Sequence, residues 1–405
     1  MDSLTQITLG AAVGEVVLGK KVGNRAMLWG AIGGTLPDLD VIANISADQL
    51  GALAYHRAIS HSFLFAIVAP LALGWTVHRL YKSKGGKAWW RDLAIAWAAL
   101  MALLTLGAFF LPIPAGNAIA TGLAVSIGMI LPPVAVGLRE RWRKRPSQNP
   151  NASWRSWSWL LFWAIFTHPL LDCCTSFGTQ IFQPFSDYRA AFNNIAVVDP
   201  LYTVPFLICV LITTRLARNS SRRRLVIFLG LGLSTAYLLF SVYNKYRINQ
   251  VFEENLKNKN IAYQRYMTTP TLMNNILWQA VIESDSVYYY GLYSLLDDDE
   301  TIEDFRVIPK NHGLVQPYRN DRALRILTWF SNDYYSIETL PGNRLQFNDL
   351  RFGGIQQSRS DSLNFVFKFV LEQNEKGELE AYQAEASRRD LDGAAAYLWE
   401  RIKGD

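Results

Sequence analysis

The chain has 405 residues, 50% hydrophobic and 18% charged, with 40 Lys and Arg against 34 Asp and Glu for a formal net charge of +6. Those totals fit a greasy globular protein or a mixed one. The basic excess sits in short loops between apolar runs, so nucleic acid is not an expected partner, and three cysteines, two adjacent at Cys173 and Cys174, make neither a disulfide framework nor a zinc knuckle.

Read from the N-terminus, the first ten residues lack a positive leader and begin with Asp2, so a cleaved signal peptide is not expected and the first helix should remain. Apolar runs at 63–77, 93–111, 118–138, 201–216 and 225–243 hold almost no charge and approach the roughly 20 residues that cross hydrocarbon. Between them lie four basic clusters: Lys20, Lys21 and Arg25; Arg79, Lys82, Lys84, Lys87 and Arg91; 139–145 with Arg155; and Arg215, Arg218 and 222–224. The positive-inside rule places all four in the cytoplasm. Spans are then expected near 5–19, 26–37, 62–78, 92–111, 117–138, 157–171, 199–216 and 225–243, an α-helical polytopic membrane domain of about eight spans over 1–244. An even number puts the N-terminus, 38–61, 112–116, 172–198 and everything after 244 on the outer face. The first two spans are short, Gly-rich and interrupted by Glu15, so re-entrant segments or helices buried among the others are the alternative there; Gly10, Ala11, Ala12, Gly14, Gly30, Gly33 and Gly34 read as close helix contact.

From 245 to 405 polar and apolar residues interleave as in a soluble domain. An amphipathic helix is expected over 245–267, strands over 276–282, 287–296, 345–352 and 363–371, and helices over 321–330 and 390–402, which makes an α+β domain with a mainly antiparallel sheet. Tyr288, Tyr289, Tyr290, Tyr293, Trp329 and Tyr334 read first as a core or sheet face and second as ligand contacts. A domain on the outer face would cover the site or recruit its substrate.

Three polar motifs end predicted spans on that face: Pro37-Asp38-Leu39-Asp40, His56-Arg57-Ala58-Ile59-Ser60-His61-Ser62 and Thr167-His168-Pro169-Leu170-Leu171-Asp172. Ionisable groups at membrane depth need a partner, a cavity or an ion. Singly, each has a structural reading: Asp38 and Asp40 could end a helix, His61 could be satisfied in a turn, and Asp172 could pair with Arg57. Together they place three of the five histidines beside carboxylates, with His78 and His312 elsewhere. Imidazole and carboxylate are the ligand set of zinc and related divalent ions, so Asp38, Asp40, His56, His61, His168 and Asp172 are candidate metal ligands. His168 and Asp172, four apart, share a helix face, with Pro169 bearing on that turn. His56 and His61, five apart, cannot both lie on one face of a straight helix, and Ser60 or Ser62 suits the N-cap of the next span. Asp40 is the candidate proton acceptor; Arg57 suits either an anionic substrate or a salt bridge to Asp38 or Asp172. The connection from Thr175 to Pro200 reads as a lid or rim, and Asp199 as an outer support of the ligands or a helix cap.

In this order, the motifs resemble the YdjM-type family of inner-membrane metal-dependent hydrolases, also described as LexA-binding. The resemblance rests on Met1-Asp2-Ser3-Leu4-Thr5, on the three motifs above, and on Thr175 and Gly178, and covers about the first 200 residues. It implies a hydrolase with a metal site at those acidic and histidine positions, and it supplies no substrate. Many members carry His after the Leu-Thr pair where this chain has Gln6, a poor ligand, so the pattern implies a missing ligand or replacement by Asp2. The expected function is hydrolysis of an ester or phosphoester at the outer face of a bacterial inner membrane. Zinc is the expected ion, the lipid bilayer and a lipid-linked or phosphorylated substrate the expected partners. The alternatives are a LexA-binding regulatory scaffold using the basic loops, or an ion- or proton-coupled transporter, which would call for internal repeats and midplane motifs.

Overall fold

Two glycines set the packing of the N-terminal helices. In the computed structural model, which describes residues 1–45, 48–82, 150–356, 363–375, 377–384 and 393–404, α1 (Ser3–Gly14) and α2 (Asn24–Thr35) nearly touch. A Cβ on Gly10 would lie 2.3 Å from the carbonyl oxygen of Gly30, and one on Gly14 2.2 Å from that of Ala26. Only residues without a side chain allow that approach. Asp2 caps α1 by accepting from the Thr5 N–H at 3.1 Å. The helix then continues through a π-helical turn (Glu15–Gly19) to Lys20–Val22 before Gly23 reverses the chain.

A 3-10 stretch (Pro37–Ile45) and α3 (Gln49–Tyr55) lead to α4 (Phe63–Lys82). Beyond residue 150 come α5 (Trp154–Asp172), α6 (Pro200–Arg215) and α7 (Ser221–Asn258), capped by Ser153, Asp199 and Ser220. Leu18 and Val22 after α1, with α2, α4 and α5, enclose buried Trp157, Leu160 and Leu161, and Trp157 stacks on Tyr81 at 5.3 Å. The basic residues meet at one end: Arg218 donates to the Lys21 carbonyl at 3.1 Å, Asn24 to that of Thr214 at 2.9 Å, and Arg25 lies 5.7 Å from the Tyr81 ring. The three polar motifs lie at the opposite end.

The expectation of about eight spans is corrected. Among the described residues only α4 and α7 are long and apolar enough to cross a membrane. α6 is apolar but has 16 residues, α1 and α2 have 12 each, and α5 carries Arg155, His168 and Asp172. Runs of apolar residues signal burial against other helices as readily as contact with lipid, which is why counting runs overestimates spans. The runs expected at 92–111 and 117–138 lie outside the described residues. Leu64, Ile67, Val68, Leu71 and Trp75 on α4, and Leu225, Phe228, Leu229 and Leu239 on α7, face outward.

α7 passes through Asn244 without interruption for 38 residues. The amphipathic helix expected to reach 267 therefore ends at Asn258, because β1 (Arg265–Pro270) follows. With β2 (Leu277–Glu283), β3 (Val287–Ser294) and β4 (Arg306–Pro309), β1 forms a sheet in that order, antiparallel throughout. Helix α8 (Arg322–Ser331), capped by Asp321, precedes a second antiparallel sheet: β5 (Tyr335–Leu340), β6 (Arg344–Ile355), β7 (Asn364–Gln373) and β8 (Leu379–Gln383). Helix α9 (Ala394–Lys403) ends the described chain. Ile248, Val251, Phe252 and Leu256 of α7 form one core with Trp278, Ala280 and Ile282 of the first sheet.

Candidate metal centre

Local rules of chain geometry deliver four side chains to one point. Pro37 opens a 3-10 stretch with Asp38 and Asp40 in its first turn. His61 ends a short turn (Ile59–His61), after which Ser62 starts α4 by accepting from the Phe65 N–H at 3.1 Å. On α5, His168 and Asp172 share a face despite Pro169, with His168 Nε2 3.3 Å from Asp172 Oδ2.

The ligand atoms of Asp38, His61, His168 and Asp172 lie within 4.8 Å of one another. His61 Nε2 is 3.0 Å from His168 Nε2, 3.5 Å from Asp38 Oδ1 and 3.4 Å from Asp172 Oδ2; His168 Nε2 is 3.4 Å from Asp38 Oδ1. A tetrahedral ion with bonds of about 2.0 to 2.1 Å separates its ligands by about 3.3 Å, so these spacings fit a divalent ion. Asp172 Oδ2 is buried with no hydrogen bond among the described residues, although Arg57 Nε lies 3.3 Å away, so it keeps the capacity to accept a bound ion.

The outer nitrogens of both rings are held. His168 Nδ1 donates to the Gly34 carbonyl at 2.6 Å, because a carbonyl only accepts; in the neutral ring Nε2 then turns its lone pair to the cluster. His61 Nδ1 lies 3.1 Å from Ser60 Oγ and 3.5 Å from Asp40 Oδ2. Such support from carbonyls and carboxylates orients metal-binding imidazoles.

Asp40 and His56 stand beside the four rather than among them, joined to each other at 3.0 Å. Asp40 Oδ2 also accepts from the Arg57 N–H at 2.8 Å. Burial works to raise the pKa of both Asp38 and Asp40, but His168 and His61 beside Asp38, and His56 beside Asp40, hold the two carboxyls below the usual range. Arg57 has φ +60, a strained conformation for a residue with a side chain. Its Nε lies 3.3 Å from Asp172 Oδ2 and its Nη1 donates to Thr175 Oγ1 at 3.1 Å, so its carboxylate partner is Asp172 rather than Asp38.

Gln6 donates to Asp172 Oδ1 at 2.9 Å and the Met1 amino group lies 2.5 Å from the same oxygen. Gln6 thus touches a candidate ligand through its amide, and Asp2 is occupied as the cap of α1. Gln6 is buried together with Thr5 and Thr8 on α1, and an amide is the costliest of the three to bury without a partner. Asp199 caps α6 and accepts from the Tyr237 hydroxyl at 2.8 Å.

The sequence model of the YdjM inner membrane protein family matches residues 1–248, and the chain belongs to that family. No curated protein and no solved structure matches it.

Proposed function

We propose that this YdjM-family membrane protein is a metal-dependent hydrolase that cleaves an ester or phosphoester, with zinc as its ion and a lipid-linked molecule as its substrate, from the outer face of the membrane. The observation that carries the reading is the approach of four ligand atoms, drawn from three separate segments, to within 4.8 Å of one another, with five of their spacings between 3.0 and 3.5 Å. When bound, a zinc-like ion polarises the scissile oxygen and makes water a nucleophile at neutral pH.

His61 and His168 offer Nε2, and Asp38 and Asp172 offer carboxylate oxygens. Asp38, the one member not fully buried at 18% exposure, marks the side of approach. Asp40 is placed to accept a proton and His56, 26% exposed, to pass it to solvent. Arg57, held by Thr175 and Asp172, can offer its planar fork to a developing negative charge. The outer-face orientation is supported by the gathering of Lys21, Arg25, Arg218 and their neighbours at the other end of the helices.

The test is metal content of the purified full-length protein, with release of phosphate or acyl product from a panel of lipid esters, with and without chelator, for wild type, His61→Ala and Asp38→Ala. The expected result is bound metal and turnover in wild type only, both lost to chelator. Turnover indifferent to chelator and to His61→Ala would reject the mechanism.

A further inference from the structure

Beside the metal centre, three arginines from distant parts of the chain gather round phenylalanine rings. Arg57 follows α3, Arg189 lies between α5 and α6, and Arg351 belongs to β6. The Arg57 and Arg189 guanidiniums lie 4.8 and 5.1 Å from the centroid of Phe177. Those of Arg189 and Arg351 lie 5.0 and 4.7 Å from that of Phe330. Phe177 and Phe330 pack edge to face at 5.1 Å, and Arg351 Nη1 donates to the Ser176 carbonyl at 3.4 Å. The rings thus hold three like charges together next to Asp172.

Those charges are unequally matched. Arg57 faces Asp172 at 3.3 Å and Arg351 faces Asp349 at 2.6 Å. Arg189 makes no ion pair among the described residues and donates only to backbone carbonyls: Nη2 to Phe177 and Gly178, both at 3.1 Å, and Nε to Phe177 at 3.4 Å. Its Nη1 is buried with no hydrogen-bond partner among the described residues. Burial, then the neighbouring charges of Arg351 and Arg57, push the Arg189 pKa well below the ordinary arginine value. A buried guanidinium nitrogen with open donors and two cationic neighbours calls for an anion.

We propose that Arg57, Arg189 and Arg351 form a pocket for a phosphate group of the substrate, so that β6 completes from outside the family-matched region a site begun in the helices. The word substrate rests on the hydrolase reading; the anion pocket does not. Phosphate fits because Arg189 Nη1, buried with open donors, would donate to one of its oxygens while the guanidiniums of Arg57 and Arg351 beside it supply positive charge. The group could arrive on a lipid headgroup or on a soluble phosphate. Phe182, Phe185, Tyr188 and Phe192, exposed on the same connection as Arg189, suit contact with a lipid interface.

The experiment titrates full-length protein in detergent, stripped of metal by chelator, with inorganic phosphate and with short-chain phosphatidic acid, read by calorimetry. Wild type should bind at least one probe, and Arg189→Met should weaken it by about tenfold or more. Equal affinity for both assigns recognition to phosphate alone, and preference for phosphatidic acid to a lipid headgroup; either supports the pocket. Arg189→Lys and Arg351→Lys, which keep charge and lose the fork, should weaken binding less, and they decide the matter if Arg189→Met fails to fold. Absence of binding by wild type, or binding unchanged in folded arginine variants, overturns the proposal. Metal content of the unstripped protein, measured alongside, keeps the outcomes apart: phosphate binding without metal or turnover rejects the hydrolase alone, and metal with turnover but no arginine-dependent binding rejects the pocket alone.

Discussion

His61 Nε2 and His168 Nε2 face each other at 3.0 Å, although 107 residues separate them in the chain. The ring of His61 is steadied from behind by Asp40, 3.5 Å from its Nδ1. Replacing Asp40 with Asn keeps the size and removes the charge. Such outer partners set metal affinity by about 10- to 100-fold, so Asp40→Asn should weaken zinc binding within that range while the protein remains folded. Competition with a chromogenic chelator measures it; an unchanged affinity would show that Asp40 does not steady the centre.

At the basic end, Arg223 reaches both Glu15 oxygens at 2.6 Å, and also Asn24 Oδ1 at 2.7 Å and the Leu216 carbonyl at 2.8 Å. Both side chains are almost wholly buried. Removing one partner strands the other, so Glu15→Ala or Arg223→Met should each cost about 3 to 5 kcal/mol, and Glu15→Leu with Arg223→Met should recover most of it. Thermal unfolding in detergent reads the difference. A double variant as unstable as the singles would mean that the geometry, not the charge balance, carries the effect.

Only α7 stands between the turn at Ala217 and the C-terminal sheets. A reporter inserted at Asn219 should therefore be cytoplasmic and one fused after Asp405 extracytoplasmic. The two reporters on one side would remove α7 as a crossing and with it the shared outer face of the three motifs.

Glu283 of β2 is paired with Arg265 at 2.5 Å and Lys310 at 2.7 Å. Burial acts to raise its pKa, but Lys310 and Arg265 outweigh it and leave the carboxyl below its ordinary 4.5. A carboxylate depressed in the folded state adds stability that is full above its unfolded pKa and disappears as pH falls through the folded one. Glu283→Gln should thus lower Tm at neutral pH, with the gap to wild type closing below pH 4.5. A gap that persists in stronger acid would assign the loss to packing.

What could be read in advance follows from range. His168 and Asp172 can be paired from spacing alone because positions four apart share a helix face, and Asp199 sits before Pro200 as a cap should. The strands around Leu277, Val287, Arg344 and Asn364 are legible from β-branched and aromatic alternation, whereas β4 has only four residues and β1 ends in proline. Hydropathy does not separate a helix that faces lipid from one like α2, pressed on α1 through Gly30. Nor does any local pattern join Ser176 to Arg351, 175 positions apart, or mark Arg189: these contacts exist only once the second sheet has come to rest against the loop at Phe177.

The unbroken course of α7 gives the molecule a stiff lever with no joint at the membrane surface. Its 38 residues span roughly 57 Å against hydrocarbon about 30 Å thick. The part beyond Asn244 extends about 21 Å, so a change in tilt of about 5° displaces its tip by about 2 Å. Tilt responds to bilayer thickness, and the tip is built into the first sheet through Phe252 and Leu256. Turnover in vesicles should accordingly vary with acyl-chain length. A paired-glycine insertion after Lys245 should flatten that dependence, and an unaltered profile would mean that the lever carries no load.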